Sequence, residues 1–273
     1  MEEPCSFKNI ISKICKYYSR GELNLKVEMQ HMTWQDFANV KDKAVLILPV
    51  GSLEQHGPHL PLGTDVYITY NLSLLLAKEV EGIVAPPINY GYKSLPASGG
   101  GPLFPGTVDL NGNTLMLLVK DIIEELIRDG VKKIFVMNGH FENEAFILEA
   151  VDLVMKQKAH DVKIMVASWW NQVSKEVLDK IFDEVTFPGW ELEHAAIAET
   201  SLVLNFAPEM VRMERLIEDG IDTPPTYHIY PVPEGLVPAS GLLHTARTCS
   251  REKGAMLAQE ITERLAEIVR RNF

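Results

Sequence analysis

Short, mostly apolar runs that each stop in a loop rich in Gly, His or Pro constrain this chain more than any other feature. Ala44–Val50 (AVLILPV), Lys133–Met137 (KIFVM) and Val162–Ala167 are of this kind, with a shorter run at Ile83–Ala85. Their length and branched residues suit buried strands. Between them lie segments with helical spacing, Val66–Val80, Thr114–Arg128 and Glu144–Lys158, and a terminal one spans Lys253–Val269. Asn113 is the candidate N-cap of the second, and Gly130 its stop. Strands alternating with helices of this length imply a parallel sheet covered on both faces, so the expected fold is α/β, a three-layer αβα sandwich with a mostly parallel central sheet. Such sheets collect ligands at the carboxyl ends of their strands. The long loop Gly91–Gly106, rich in Gly, Ser and Pro, is the length of loop that usually serves function.

A chain of 273 residues fits one large domain, taken as 28–273, with residues 1–27 as an N-terminal extension. Ile10, Ile11, Ile14 and Tyr18 can form one face of a short helix in that extension, suited to packing or oligomer contact. A formal net charge of −11 opposes nucleic-acid binding, because phosphates would be repelled. No apolar run is long enough to cross a bilayer, and the first residues lack a cleavage-site pattern. Cys5, Cys15 and Cys249 have neither zinc-finger nor thioredoxin spacing, which fits a reduced, cytoplasmic setting.

Two clusters carry the chemistry. Gly51-Ser-Leu-Glu54-Gln-His56-Gly-Pro-His59 follows the first strand, with Asp65 further along the loop. In an extended segment Glu54 and His56 point to the same side. Asn138-Gly139-His140-Phe141-Glu142 ends the third strand and repeats the spacing. A carboxylate and an imidazole on one side can ligate a divalent metal, and Asp65 can return from its loop as a further oxygen donor. Five donors exceed what one tetrahedral zinc needs and suit two ions sharing a bridging carboxylate, for which the unpaired Asp65 is the candidate. Taken singly, either cluster reads more readily as a loop hydrogen-bond network, and it is their joint placement at strand ends that points to metal. A third string, Gly189-Trp190-Glu191-Leu192-Glu193-His194, followed by Glu199-Thr200-Ser201, reads either as a helix start with acids at its positive end or as a site where His194 moves protons. Trp190, Trp169 and Trp170 are core residues or flat walls for a planar substrate. His59, between Pro58 and Pro61, is expected to shape its loop, while His31, His160 and His228 read as surface residues.

In order along the chain, LPVGSLEQHGPHLPL, Asp65, INYGYKS, SGGG, FPGT, MNGHFEN, the GWELEH string, ETSL and TCSREKG resemble the creatininase family, from about Leu25 to the C-terminus. The resemblance implies metal-dependent opening of a cyclic amide, creatinine to creatine, reversibly. It implies two divalent ions, zinc or manganese, one on Glu54, Asp65 and His140, the other on His56, Asp65 and Glu142. Water between the ions would attack the lactam carbonyl, with His194 carrying a proton to the leaving nitrogen. Ser94, Phe141, Trp190 and Glu191 fall at substrate-contacting positions, Trp170 matches a tryptophan that closes over the site, and the family assembles as a hexamer. Two positions depart from the pattern: Phe141 stands where a Tyr is expected, and Glu191 where an Asp is expected. The same ions acting on a formamide, a peptide or a keto-inositol, and a non-catalytic metal-binding member, are the competing readings.

Overall fold

The computed structural model of the chain describes residues 27–95, 98–157, 161–221 and 227–273. The expected N-terminal helix face, with Cys5 and Cys15, lies outside the described residues, as does His160. Four strands form one parallel sheet, β1 (Leu46–Val50), β2 (Ile83–Val84), β3 (Lys133–Asn138) and β4 (Lys163–Ser168), in the order β2-β1-β3-β4. The register pairs Val50 with Asn138 and Asn138 with Ser168, so three strands end level at one edge.

β1 is buried along its whole length because both of its faces are covered. Ile47, Phe135 and Met137 point into one core, and Leu46, Leu48, Val50, Ile134 and Val136 into the other, as alternation along a strand requires. The helices are α1 (Trp34–Val40), α2 (Thr64–Glu79), α3 (Gly112–Arg128), α4 (Glu144–Gln157), α5 (Lys175–Ile181), α6 (Ile197–Phe206) and α7 (Arg251–Asn272). Helices α3 and α4 cover the second core: Leu115, Val119 and Ile123 form a four-residue repeat on α3, and each such side chain contributes roughly 1.5–3 kcal/mol by leaving water. On the other face α2, α6 and α7 pack together through Leu72, Leu202, Leu257 and Ile261. The expected αβα sandwich is therefore present.

Three boundaries differ from the sequence reading, each for a local reason. Helix α2 begins at Thr64 rather than Val66, so Asp65 sits in its first turn and not in the loop. Asn111, not Asn113, precedes α3, because its carbonyl accepts the Leu115 N–H and starts the ladder there. Around Trp190 there is only a 3₁₀ turn (Trp190–Leu192), and α6 starts at Ile197. Among the described residues no helix is long and apolar enough to cross a membrane.

Candidate metal centre

The level strand ends bring three chain segments to one edge, and one glycine sets their spacing against α2. A Cβ on Gly139, just past β3, would lie 1.6 Å from Thr69 Oγ1 and 3.1 Å from the Asp65 carbonyl. Only a residue without a side chain lets the first turns of α2 come this close, which puts Asp65 beside His140. After β1 the chain stays extended: Glu54 N–H donates to Leu62 O (3.0 Å), Leu53 bridges Val108, and Gln55 N–H donates to Thr107 Oγ1 (3.0 Å). Asn143 braces the neighbouring loop, its carbonyl accepting Tyr92 N–H (2.7 Å) and its amide donating to Gly51 O (3.0 Å).

Glu54, Asp65 and His140 form one buried trio, and His56, Asp65 and Glu199 a second; a third joins Glu54, His56 and His194. The backbone decides how each imidazole faces its partners. His140 Nε2–H donates to Tyr92 O (2.8 Å), which turns Nδ1 toward Glu54 Oε1 (3.0 Å) and Asp65 Oδ2 (3.2 Å). His56 Nδ1–H donates to Glu54 O (3.2 Å), turning Nε2 toward Asp65 Oδ1 (3.0 Å) and Glu199 Oε2 (3.7 Å). A backbone carbonyl that fixes the tautomer of a ligating histidine is a regular feature of metal sites. Asp65 thus offers one oxygen to each trio. Glu54 Oε2 and Asp65 Oδ2 are buried without a hydrogen-bond donor, so the oxygen-rich set suits divalent cations.

The electrostatics say the same. Burial disfavours charge on His56, yet the carboxylates of Asp65, Glu199 and Glu54 raise it to about 10. His140 also rises well above its ordinary value against the pull of burial, mainly through Glu54 and Glu142. Burial pushes Glu54 and Asp65 upward, but the histidines opposite hold both below the usual carboxylate range. Each trio calls for positive charge. By contrast burial lifts Glu142, raises Glu199 to about 7 and raises Glu193 to about 8.

The remaining candidates surround the same cavity, which is lined among others by Glu142, Phe141, Trp170, Trp190, Glu191 and His194. Glu142 Oε2 lies 3.3 Å from His140 Nε2, while its other oxygen accepts from Ser98 Oγ and from Leu95 N–H. It belongs to none of the three trios. His194 Nδ1 faces Glu54 Oε1 at 3.8 Å, and burial, then the charge of His56, lowers its pKa to about 4. Phe141 stacks on Trp170 with centroids 5.7 Å apart, and Trp169 meets both Trp170 and Trp190 edge-on. Ser94 is buried and donates to Ser98 O; it is Ser98 that lines the cavity. His59 is buried at 3.0 Å from Thr200 Oγ1 and joins no trio, in keeping with a loop-shaping role, and His31 and His228 are exposed.

Gln55 and Glu199 are among the residues to which the sequence reading gives no role. Gln55 Oε1 accepts the Gly57 N–H (2.9 Å), which turns its amide nitrogen toward Gly99 O (2.8 Å), His194 Nε2 (2.9 Å) and Gly241 O (3.0 Å). The amide shares its two hydrogens among these three neighbours and pins the edge of the His194 ring that carries Nε2, which leaves Nδ1 toward the cavity. Alternation placed Gln55 opposite Glu54 and His56, but not what it would meet. Glu199 was visible only as an acid a few residues beyond His194.

Paired His–carboxylate trios sharing an aspartate, set over the carboxyl edge of a parallel αβα sheet, define a class: α/β proteins built to hold two metal ions beside a small-molecule cavity. The profile of the creatininase family, described as creatinine amidohydrolase, matches residues 30–269. A creatinine amidohydrolase of Pseudomonas putida is 38% identical over 258 residues, covering 92% of this chain and 99% of its own. A solved manganese creatininase superposes with a TM-score of 0.86 and a mutant of the Zn-Zn type with 0.87; each is 38% identical and covers 90% of this chain and 98% of its own. The chain belongs to the creatininase family.

Proposed function

We propose that the chain is a two-ion hydrolase that opens the cyclic amide of creatinine to give creatine, reversibly. The observation that carries this reading is the pair of trios joined through the two oxygens of Asp65. The near full-length likeness to the Pseudomonas putida enzyme supports the substrate. Glu54, Asp65 and His140 would hold one ion, zinc or manganese, and His56 and Asp65 the other, with Glu199 in reach of that second pair and Glu142, the ligand the resemblance implied there, lying instead against His140. Bound there, divalent ions polarise the scissile carbonyl and make water a nucleophile near neutral pH.

The side chains supply the rest. Trp170, Trp190 and Phe141 form flat apolar walls that orient a planar ring and exclude bulk water. Ser94 acts beneath the cavity through its bond to the Ser98 carbonyl, and the Glu191 carboxylate at the cavity faces the guanidinium-like part of the substrate. His194 would take a proton from the attacking water and give it to the leaving nitrogen as the carbon–nitrogen bond breaks, so the ring ends as it began. Glu142, held by Ser98 and Leu95, is the second group able to handle a proton there. We further propose a cytoplasmic homo-oligomer, a hexamer, supported by exposed apolar residues such as Leu62, Tyr67, Leu117 and Leu118; light scattering behind gel filtration tests the assembly.

Ion-loaded protein incubated with creatinine should form creatine, and chelator should stop it; no turnover with either metal would sink the proposal. His194→Ala should lower kcat by about 10²–10⁴-fold with ion content unchanged. Asp65→Ala should lose both ions, and two ions retained per chain would rule out the bridge.

A further inference from the structure

His194 is held at its ring and at its backbone, and both holds lead to one turn, residues 238–243. The ring faces the Gln55 amide (2.9 Å), which also donates to Gly241 O (3.0 Å). The His194 carbonyl accepts the Leu243 N–H (3.3 Å). The turn itself is closed by the Gly241 N–H, which donates to Pro238 O (2.9 Å). Its fit against the site is tight. Gly241 sits at φ +78°, and a Cβ there would lie 2.0 Å from Gln55 Oε1.

Among the described residues from 216 to 250 there is no helix or strand, so no regular ladder fixes this turn. Asp219 does so instead. One of its oxygens accepts the Ser240 N–H (3.1 Å) and the other accepts from the Ser240 hydroxyl. That hydroxyl oxygen in turn accepts the Leu242 N–H (3.0 Å). Hydrogen bonds to an ionised carboxylate are roughly twice as strong as neutral ones, so this is a firm clamp. The clamped residues, Ser240 and Leu242, alternate with Gly241 and Leu243, the two that reach Gln55 and His194. Moving one pair moves the other. Asp219 and Ser240 meanwhile belong to none of the three trios and do not line the cavity.

We infer that Asp219, acting through Ser240, is a positioning residue for His194. It holds the turn that fixes both the ring and the backbone of the proton carrier, and it does so from outside the ion site. The inference rests on the role given to His194 above. A displacement of about 1 Å in a reacting group can cost 10²-fold in rate, so a distant clamp can govern kcat.

The test compares ion-loaded wild type with Asp219→Ala and Ser240→Ala. For creatinine, kcat should fall about tenfold or more in Asp219→Ala and in the same direction in Ser240→Ala. KM should stay within about twofold, and both ions should stay bound. A tether of the loop alone would lower the urea midpoint and leave kcat per folded chain within about twofold, which would overturn the inference. A second readout does not need turnover. In spectra of protein carrying isotope-labelled histidine, the His194 ring signal, identified by its loss in His194→Ala, should shift in both variants. A ring signal that stays in place would overturn the inference. A wild type without turnover would overturn the proposed reaction, and the ring signal would still decide the clamp. Should Asp219→Ala fail to fold by circular dichroism, Ser240→Ala, which removes only the hydroxyl, decides by the same two readouts.

Discussion

Replacing Gly139 by alanine tests whether close approach of β3 and α2 builds the site. The new Cβ would sit 1.6 Å from Thr69 Oγ1 and 2.9 Å from Thr69 Cβ. Rotating the threonine relieves the first contact but breaks the hydrogen bond from its hydroxyl to Asp65 O (2.7 Å), a loss of about 0.5–1.5 kcal/mol. The Cβ contact then remains, and overpacking of a tight core costs roughly 1–3 kcal/mol. The expected destabilisation is about 2–4 kcal/mol, read by urea unfolding of the ion-free protein followed by circular dichroism. Affinity for both ions should fall with it, because the turn that is pushed away carries Asp65. Adding Thr69→Ala should recover part of the loss, giving a coupling of about 0.5–3 kcal/mol. A Gly139→Ala protein within about 0.5 kcal/mol of wild type, or additive effects in the double variant, would refute the reasoning.

Gln55→Leu should lower kcat by about tenfold or more while both ions stay bound, because His194 loses the amide that holds its ring in place; unchanged kcat would mean the amide is incidental. Phe141→Tyr should lower KM for creatinine by roughly 2–10-fold if the hydroxyl meets the substrate, one hydrogen bond being worth about 0.5–1.5 kcal/mol; steady-state kinetics decide. For His59, burial and then the charge of His56 lower the pKa from 6.5 to about 4. Between those values the unfolded chain binds more protons, so this contribution is complete above pH 6.5 and is lost as pH falls toward 4. Urea midpoints should therefore decline over that window, and less steeply in His59→Asn.

The layered fold was legible because its signals are local. Strand runs such as AVLILPV and the four-residue repeat Leu115, Val119, Ile123 need only their own sequence to be recognised. The trios around Asp65 were half legible. Spacing put Glu54 with His56 and His140 with Glu142, since each pair lies on one segment. It could not place Asp65 in a helix, because Thr64 and Asp65 are polar and buried and so carry no apolar period. Nor could it find Glu199 beside His56, a meeting made by packing α6 against α2. Asn143 and Gln55 were equally hidden, since their partners are backbone atoms of distant loops.

The Gln55 amide ties the rim of the cavity together. It touches the Gly99 and Gly241 carbonyls and the His194 ring at once, joining three stretches far apart along the chain. Gly99 leaves no slack there: a Cβ on it would meet the His194 ring at 2.7 Å. Loop position and the pose of the His194 ring are thereby one variable. A shift of the loop at Gly99 takes away one of the amide's acceptors and frees the ring to turn, while His56 and His140 keep their own backbone anchors at Glu54 O and Tyr92 O. Reactivity here can be tuned from the rim without touching the metals.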